Sequence, residues 1–245
     1  MKTFWMAFVY KPIYNAFFLL LWLTPGHYVG FAIIALTLLV RFAIYPLTLK
    51  SIKAQRAMKD LDPKIKALKE KHKEDKNALS MAMMELYKQE NVSPMSGCLP
   101  LLIQIPVIST LFFVLKGIAV VNTDLLYSFT PHIAQPSLAF FGLDLAGQSL
   151  LLALLVGLTQ YYSTHLSMGP KTAKKVVKDG EKASFADDFQ DSMQMNMRYF
   201  LPALLAFTAY KLTAAVALYW VTSNMFTIGQ ELYVRAKSDK KLKGN

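Results

Sequence analysis

A chain of 245 residues with 54% hydrophobic and only 18% charged residues departs from soluble domains, where about 25% are charged. The net charge of +11 would suit a nucleic-acid or anionic surface, but these charges are segregated from long uncharged stretches. The one cysteine, Cys98, excludes an intramolecular disulfide.

Residues 12–40, 91–115, 145–170 and 212–230 contain no Lys, Arg, Asp or Glu. Charge-free apolar runs of roughly 18 residues or more read as membrane spans. Twenty-two of the 27 cations lie between Lys50 and Lys88, between Lys171 and Arg198, and from Arg235 onward. Excess Lys and Arg marks the cytoplasmic side, which explains the basicity without a specific nucleic-acid partner. The expected fold class is an all-α integral membrane protein of five transmembrane helices, with a cytoplasmic helical hairpin and an N-terminal interfacial helix.

Residues 1–26 read as an interfacial amphipathic helix on the outer surface, with a sixth span as the alternative. Phe4, Trp5, Phe8, Tyr14, Phe17, Phe18 and Trp22 suit the bilayer boundary, and Pro25-Gly26 punctuates the helix. Thr24-Pro25-Gly26-His27 is a poor cleavage site, so no removable signal peptide is expected. Residues 27–49 form the first transmembrane helix. Residues 50–92 form the hairpin: Met58, Leu61, Ile65 and Leu68 make one apolar stripe and Leu79, Met83, Leu86 and Tyr87 another. Asp62-Pro63 can cap and kink the first arm, and His72 to Asp75 joins the two. Residues 93–235 hold four further spans, near 96–116, 147–167, 199–211 and 214–234, with a basic cytoplasmic loop at 168–198. Within this region, the span at 199–211 is short unless it starts near Met195. Residues 236–245 are a basic cytoplasmic tail. Five spans then place the N-terminus outside and the C-terminus in the cytoplasm.

Arg41 lies about 12 Å along the first span from its inner end, at about 1.5 Å per residue. Insertion there costs roughly 2.5–3.5 kcal/mol at mid-membrane. Snorkelling, or a structural bond to a carbonyl or buried acid, weighs evenly against a functional role. Glu231, near a cytoplasmic end, is the one acid inside these spans. Thr37 shares Arg41's face, and Gln104, Gln160, Ser223 and Asn224 are polar groups on other spans. Such groups without a fixed counter-charge suggest a hydrated cavity. Enzyme templates fail. His27, His72, His132 and His165 lack metal-ligand spacing, and no phosphate loop or nucleophile elbow is present. Asp187-Asp188 reads as a solvated face. No catalytic residue, metal or cofactor is expected.

Four strings together carry a family likeness: Val40 to Thr48 (VRFAIYPLT), Leu61 to Lys76 with Met83 to Pro94, Ser96 to Pro106 (SGCLPLLIQIP), and Leu218 to Asn224 (LYWVTSN) followed by Gln230. In this order the sequence resembles the YidC/Oxa/Alb membrane protein insertases from about residue 5 to 235. The resemblance implies a five-helix core whose groove opens to the cytoplasm and to lipid and closes on the outer side. Arg41 matches the family's groove arginine. Thr37 and Trp220 match positions that face each other over the groove, and Gln160 is a lining residue. Cys98, Pro100 and Pro106 read as structural. Two departures from the family pattern are expected: a minimal or truncated form in which the N-terminal anchor helix and external domain of many members do not appear, and a tail shorter than those that hold ribosomes.

The implied function is to take nascent membrane proteins through a positively charged inner-leaflet groove into the bilayer of the bacterial plasma (inner) membrane. Its implied partners are those nascent chains, membrane lipids, the Sec translocon, the ribosome and the signal recognition particle receptor. The alternative is a small-solute transporter or channel with Arg41 as an anion site; inverted repeats would favour it, and none is evident.

Overall fold

The computed structural model describes residues 5–72, 75–90, 92, 108–115, 122–133, 135–168 and 195–243. Gln104, Cys98, Pro100, Pro106, Asp187, Asp188 and most of the basic loop at 168–198 lie outside the described residues. The chain divides into two compact units: Met1–Phe42 with Ile108–Asn245, and Ala43–Val107.

In the first unit, helix α1 (Met6–Leu23) is long and apolar enough to cross a membrane by itself; Val29–Ala43 with Tyr45–Ala54 meets the same test as a broken pair. Helix α1 opens with a π-helical turn, Met6–Tyr10, in which the Lys11 N–H reaches the Met6 carbonyl. Pro12 accounts for this, because a proline ring crowds the carbonyl four residues earlier and cannot donate to it. The same device recurs at Asn196–Phe200, where Leu201 N–H reaches Asn196 just before Pro202. Thr24 ends α1 by donating its N–H (3.2 Å) and hydroxyl (2.7 Å) to Leu21. Gly26, at φ +66°, then turns the chain, as Pro25-Gly26 foretold.

Helix α2 (Val29–Ala43) buries Val29, Ala32, Ile33, Leu36 and Thr37, a stripe at spacings of one, three and four. The sequence reading runs this helix to residue 49, whereas the structure breaks it at Ile44. Pro46 cannot donate to Phe42 and crowds its carbonyl. This break, unlike the two other prolines, is not absorbed by a π turn.

In the second unit, described by itself, α3 (Tyr45–Asp60) stops at Leu61, and α4 (Asp62–Lys71) restarts with Pro63 in its first turn. This is the kink expected at Asp62-Pro63, but the N-cap position falls on Leu61, which makes no side-chain cap bond, and not on Asp62 as the sequence suggests. Helix α5 (Lys76–Gln89) is capped by Asp75 Oδ1, which accepts the N–H groups of Asn77 and Ala78 at 2.9 Å each. Lys64 pairs with Glu90, and residues from Lys64 to His72 line a groove with Ala78 to Gln89. The two arms are antiparallel.

Returning to the first unit, α6 occupies 108–115. Helix α7 (Leu150–Met168) is antiparallel to α8 (Leu201–Lys211, preceded by the π turn), with Gly157 against Ala206 and Tyr161 6.0 Å from Tyr199. The helix of α8 thus begins near Met195, relieving the shortness of a span confined to 199–211. Helix α9 (Ala214–Lys243) continues well into the tail.

Between the spans near 96–116 and 147–167, the segment 122–149 holds a 3-10 turn (Thr123–Leu125) and two short antiparallel strands, β1 (Ala139–Phe140) and β2 (Leu143–Asp144). The segment is bolted to three elements. Asn15 of α1 is 3% exposed, and its Nδ2 donates to the carbonyls of Lys11 (2.7 Å) and Leu125 (2.8 Å). Its Oδ1 accepts the Tyr127 N–H and the Thr130 hydroxyl, both at 2.7 Å. Ser137 exchanges backbone bonds with His27 and Val29 at 2.9 Å. The Ala214 and Ala215 N–H groups, orphans of the first turn of α9, donate to Gly147 (2.7 Å) and Leu145 (3.0 Å). Gly30 lets the strands approach: a Cβ there would fall 2.2 Å from the Phe140 ring.

Candidate functional site

Arg41 sits in the last turn of α2. Its guanidinium donates through Nη2 to the Ser223 hydroxyl on α9, a group only 1% exposed. Next to it, Phe42 meets Phe226 edge-on, ring centroids 5.0 Å apart. These contacts between α2 and α9 run through long side chains. Among the described residues the partner of Arg41 is a neutral hydroxyl, and no carboxylate forms an ion pair with it. A hydroxyl solvates the cation without cancelling its charge.

An adjacent face of α9, about 100° round the helix from Ser223, bonds to α7. Asn224, next to Ser223, donates from Nδ2 to Thr159 Oγ1 at 3.1 Å. Further along, Ser167 donates to Glu231 Oε1 at 3.0 Å, and Arg235 Nη2 donates to the Leu166 carbonyl. From the Thr159–Asn224 pair to the Ser167–Glu231 pair the residue numbers rise by eight and seven, so α7 and α9 run parallel. From Asn224 to Arg235 the seam extends about 16 Å, at about 1.5 Å per residue. The Arg235 bond satisfies a carbonyl of the last turn of α7, an orphan position.

The sequence-derived residues therefore divide. Arg41 and Ser223 are joined, and Asn224 adjoins them on α9. Gln160 lies in α7 beside Thr159, yet its amide bonds to Thr164 of its own helix at 3.3 Å. Thr37 is buried and returns its hydroxyl to Ile33 at 2.6 Å. Trp220 is half-buried one turn before Ser223 and Asn224. The sequence reading did not single out Thr159, Ser167, Arg235 or the buried Arg198. A signal existed for three of these. Thr159 and Ser167 are eight apart on one helical face, and Arg235 follows Glu231 by four.

Leu150, Leu151, Leu154 and Leu158 of α7 and Phe200, Leu204 and Phe207 of this helix pair are exposed, while Asn224 and Glu231 are buried. Large apolar side chains turned outward, over an apolar interior that also holds polar groups, define a helical membrane protein. The chain belongs to the family described as 60Kd inner membrane protein, whose pattern matches residues 22–241. It is similar to the membrane protein insertase YidC of Francisella tularensis subsp. novicida (strain U112), at 34% identity over 204 residues. The same figures hold for that of F. tularensis subsp. tularensis (strain WY96-3418). Each alignment covers 82% of this chain and 31% of the relative, so the chain spans about a third of these curated relatives. A solved structure, described as an active YidC insertase with the first transmembrane domain resolved, superposes with a TM-score of 0.59 at 23% identity. That match covers 91% of this chain and 46% of the other, and it establishes a shared fold.

Proposed function

We propose that the protein is a membrane insertase whose groove is lined by Arg41 and Ser223 where α2 meets α9, beside the polar seam. Arg41 carries the reading, as an arginine in an apolar helix bonded to a neutral hydroxyl, with its charge left for an incoming acid. In a partly hydrated site one ion pair contributes between about 1 and 4 kcal/mol. The polar end of a nascent segment enters beside Arg41, Ser223 and Asn224, shortening its path through hydrocarbon. Its apolar part slides over the exposed leucines of α7 into lipid, with burial worth about 25 cal/mol per Å². No cofactor or energy-yielding reaction enters this scheme. Gln104, Gln160, Thr37 and Trp220 complete the groove lining.

In this reading the chain crosses the membrane five times, through α2, the span containing α6, α7, α8 and α9, with α1 at the outer surface. The hairpin of α4 and α5 is cytoplasmic and receives nascent chains or their escorts: the Sec translocon, the ribosome or the signal recognition particle receptor.

The test is insertion into proteoliposomes of paired substrates that differ only in acidic residues of the translocated tail. Arg41→Ala should slow the acidic substrate at least about fivefold more than the neutral one, the lower end of that ion-pair range. Arg41→Lys should retain most activity because the cation remains. A purely structural fork would instead make lysine fail too. Equal, wild-type insertion of both substrates by the alanine variant would remove Arg41 from the mechanism. The rival anion-transporter reading expects solute flux in the same vesicles, abolished by Arg41→Ala.

A further inference from the structure

The strands β1 and β2 are joined by the two residues Phe141-Gly142, at φ +46° and +79°. Two positive values suit a type I′ hairpin turn, whose first position favours Asn, Asp or Gly. A phenylalanine is disfavoured there. It is nonetheless held outward, 83% exposed, and a residue kept in a disfavoured conformation at full exposure points to a use for the side chain.

Its surroundings identify the use. Phe141 lies 6.1 Å from Phe31 and 4.7 Å from Phe140, and Phe31 contacts Tyr28 at 6.3 Å. Tyr28 and Phe31 are themselves partly exposed at the start of α2. The ring contact fixes the level of the tip as the first turn of α2, beside the bundle. With α2 spanning, that level is the boundary between headgroups and acyl chains, where Tyr and Trp collect and where interfacial segments bury Phe. No Lys or Arg occurs in residues 117–147, so nothing in this segment favours an anionic protein or nucleic acid.

We propose that the Phe141 tip is a lipid anchor, inserting into the outer-leaflet boundary and holding the 122–149 segment down over its end of the bundle. It rests on the membrane reading given under Proposed function, and the occupant is lipid.

The experiment uses the full chain in proteoliposomes, with Cys98 replaced by serine and single spin labels at Phe141→Cys, Gln135→Cys and Leu154→Cys. Accessibility to oxygen, which partitions into lipid, is compared with that to a water-soluble nickel chelate. The label at 141 should favour oxygen, at a depth between an aqueous 135 and a deep 154. If 154 reads deep and 141 matches 135, the anchor fails while the membrane reading stands. If 154 also reads aqueous, the membrane reading fails first and takes the anchor with it. A label at 141 shielded from both reagents indicates a protein contact and overturns the proposal. A second arm uses Phe141→Asn, which suits the turn, with the label at Ala139→Cys. The thermal midpoint in detergent should hold or rise while the label moves toward the nickel reagent. A lower midpoint with no change in accessibility would make the ring a packing element only.

Discussion

Asn15 has four hydrogen bonds within reach of one buried amide, and three of its partners lie in the segment 122–130. Leucine at this position keeps the volume but strands the Leu125 carbonyl, the Tyr127 N–H and the Thr130 hydroxyl. At about 1–3 kcal/mol for each buried group left unsatisfied, with some relaxation, Asn15→Leu should cost about 2–4 kcal/mol. Thermal unfolding in detergent checks this, and limited proteolysis should find the 122–130 segment newly cut. Nothing in the sequence marks Asn15, because three of its four partners lie more than a hundred residues away. Arg41 was legible for the opposite reason: a charge inside an apolar helix is visible alone. Which polar group meets it was not, since Ser223 and Asn224 are adjacent in sequence but face different helices. Only the rotation of α9 sends Ser223 to Arg41 and Asn224 to Thr159.

Between helices, α7 and α8 approach closely at Gly157, where a Cβ would lie 2.9 Å from the Ala206 Cβ. Gly157→Leu should therefore pry α7 from α8 at a cost of about 1–3 kcal/mol, read as a lowered thermal midpoint in detergent. Gly157→Ala should fall between it and the parent. The arms of the hairpin are the contrary case. They belong to a separate compact unit, and their apolar stripes are narrow. Deleting Lys64 to Lys76 should leave the first unit folded, with an unchanged gel-filtration profile, but should weaken insertion. Loss of the folded species would show that the hairpin is structural. Helices were legible in the sequence because apolar periodicity and proline punctuation are local signals. The helix break at Ile44 and the two π turns were harder, since each is one answer to the same proline problem. The small strands of 139–144 are set by contacts with α2 rather than by their own sequence.

For the whole molecule the expectation is a sidedness. Cysteines at Lys73, Gln135 and Lys178, in a chain with Cys98 replaced, should divide under an impermeant thiol reagent applied to intact cells. Position 135 should react, and 73 and 178 should react only after lysis. Labelling of 73 or 178 from outside would invert the topology. The expectation is readable in the charge distribution, with 22 of 27 cations in three segments. The seam joining α7 to α9 was not, because no pattern within one helix specifies its neighbour.

The first turn of α9 finds its acceptors on Gly147 and Leu145, carbonyls of residues made some seventy positions earlier. Ser223, the partner of Arg41, lies on the same helix. A ribosome delivers the chain from one end, so both the closure beside residues 145–147 and the pairing of the arginine wait for the last helix to emerge. Until then the earlier helices carry an unpaired cation and an open end. The protein is thus itself a membrane protein whose assembly finishes late, and during its own synthesis it presents the same kind of half-made, polar-cored intermediate that it is proposed to receive from others.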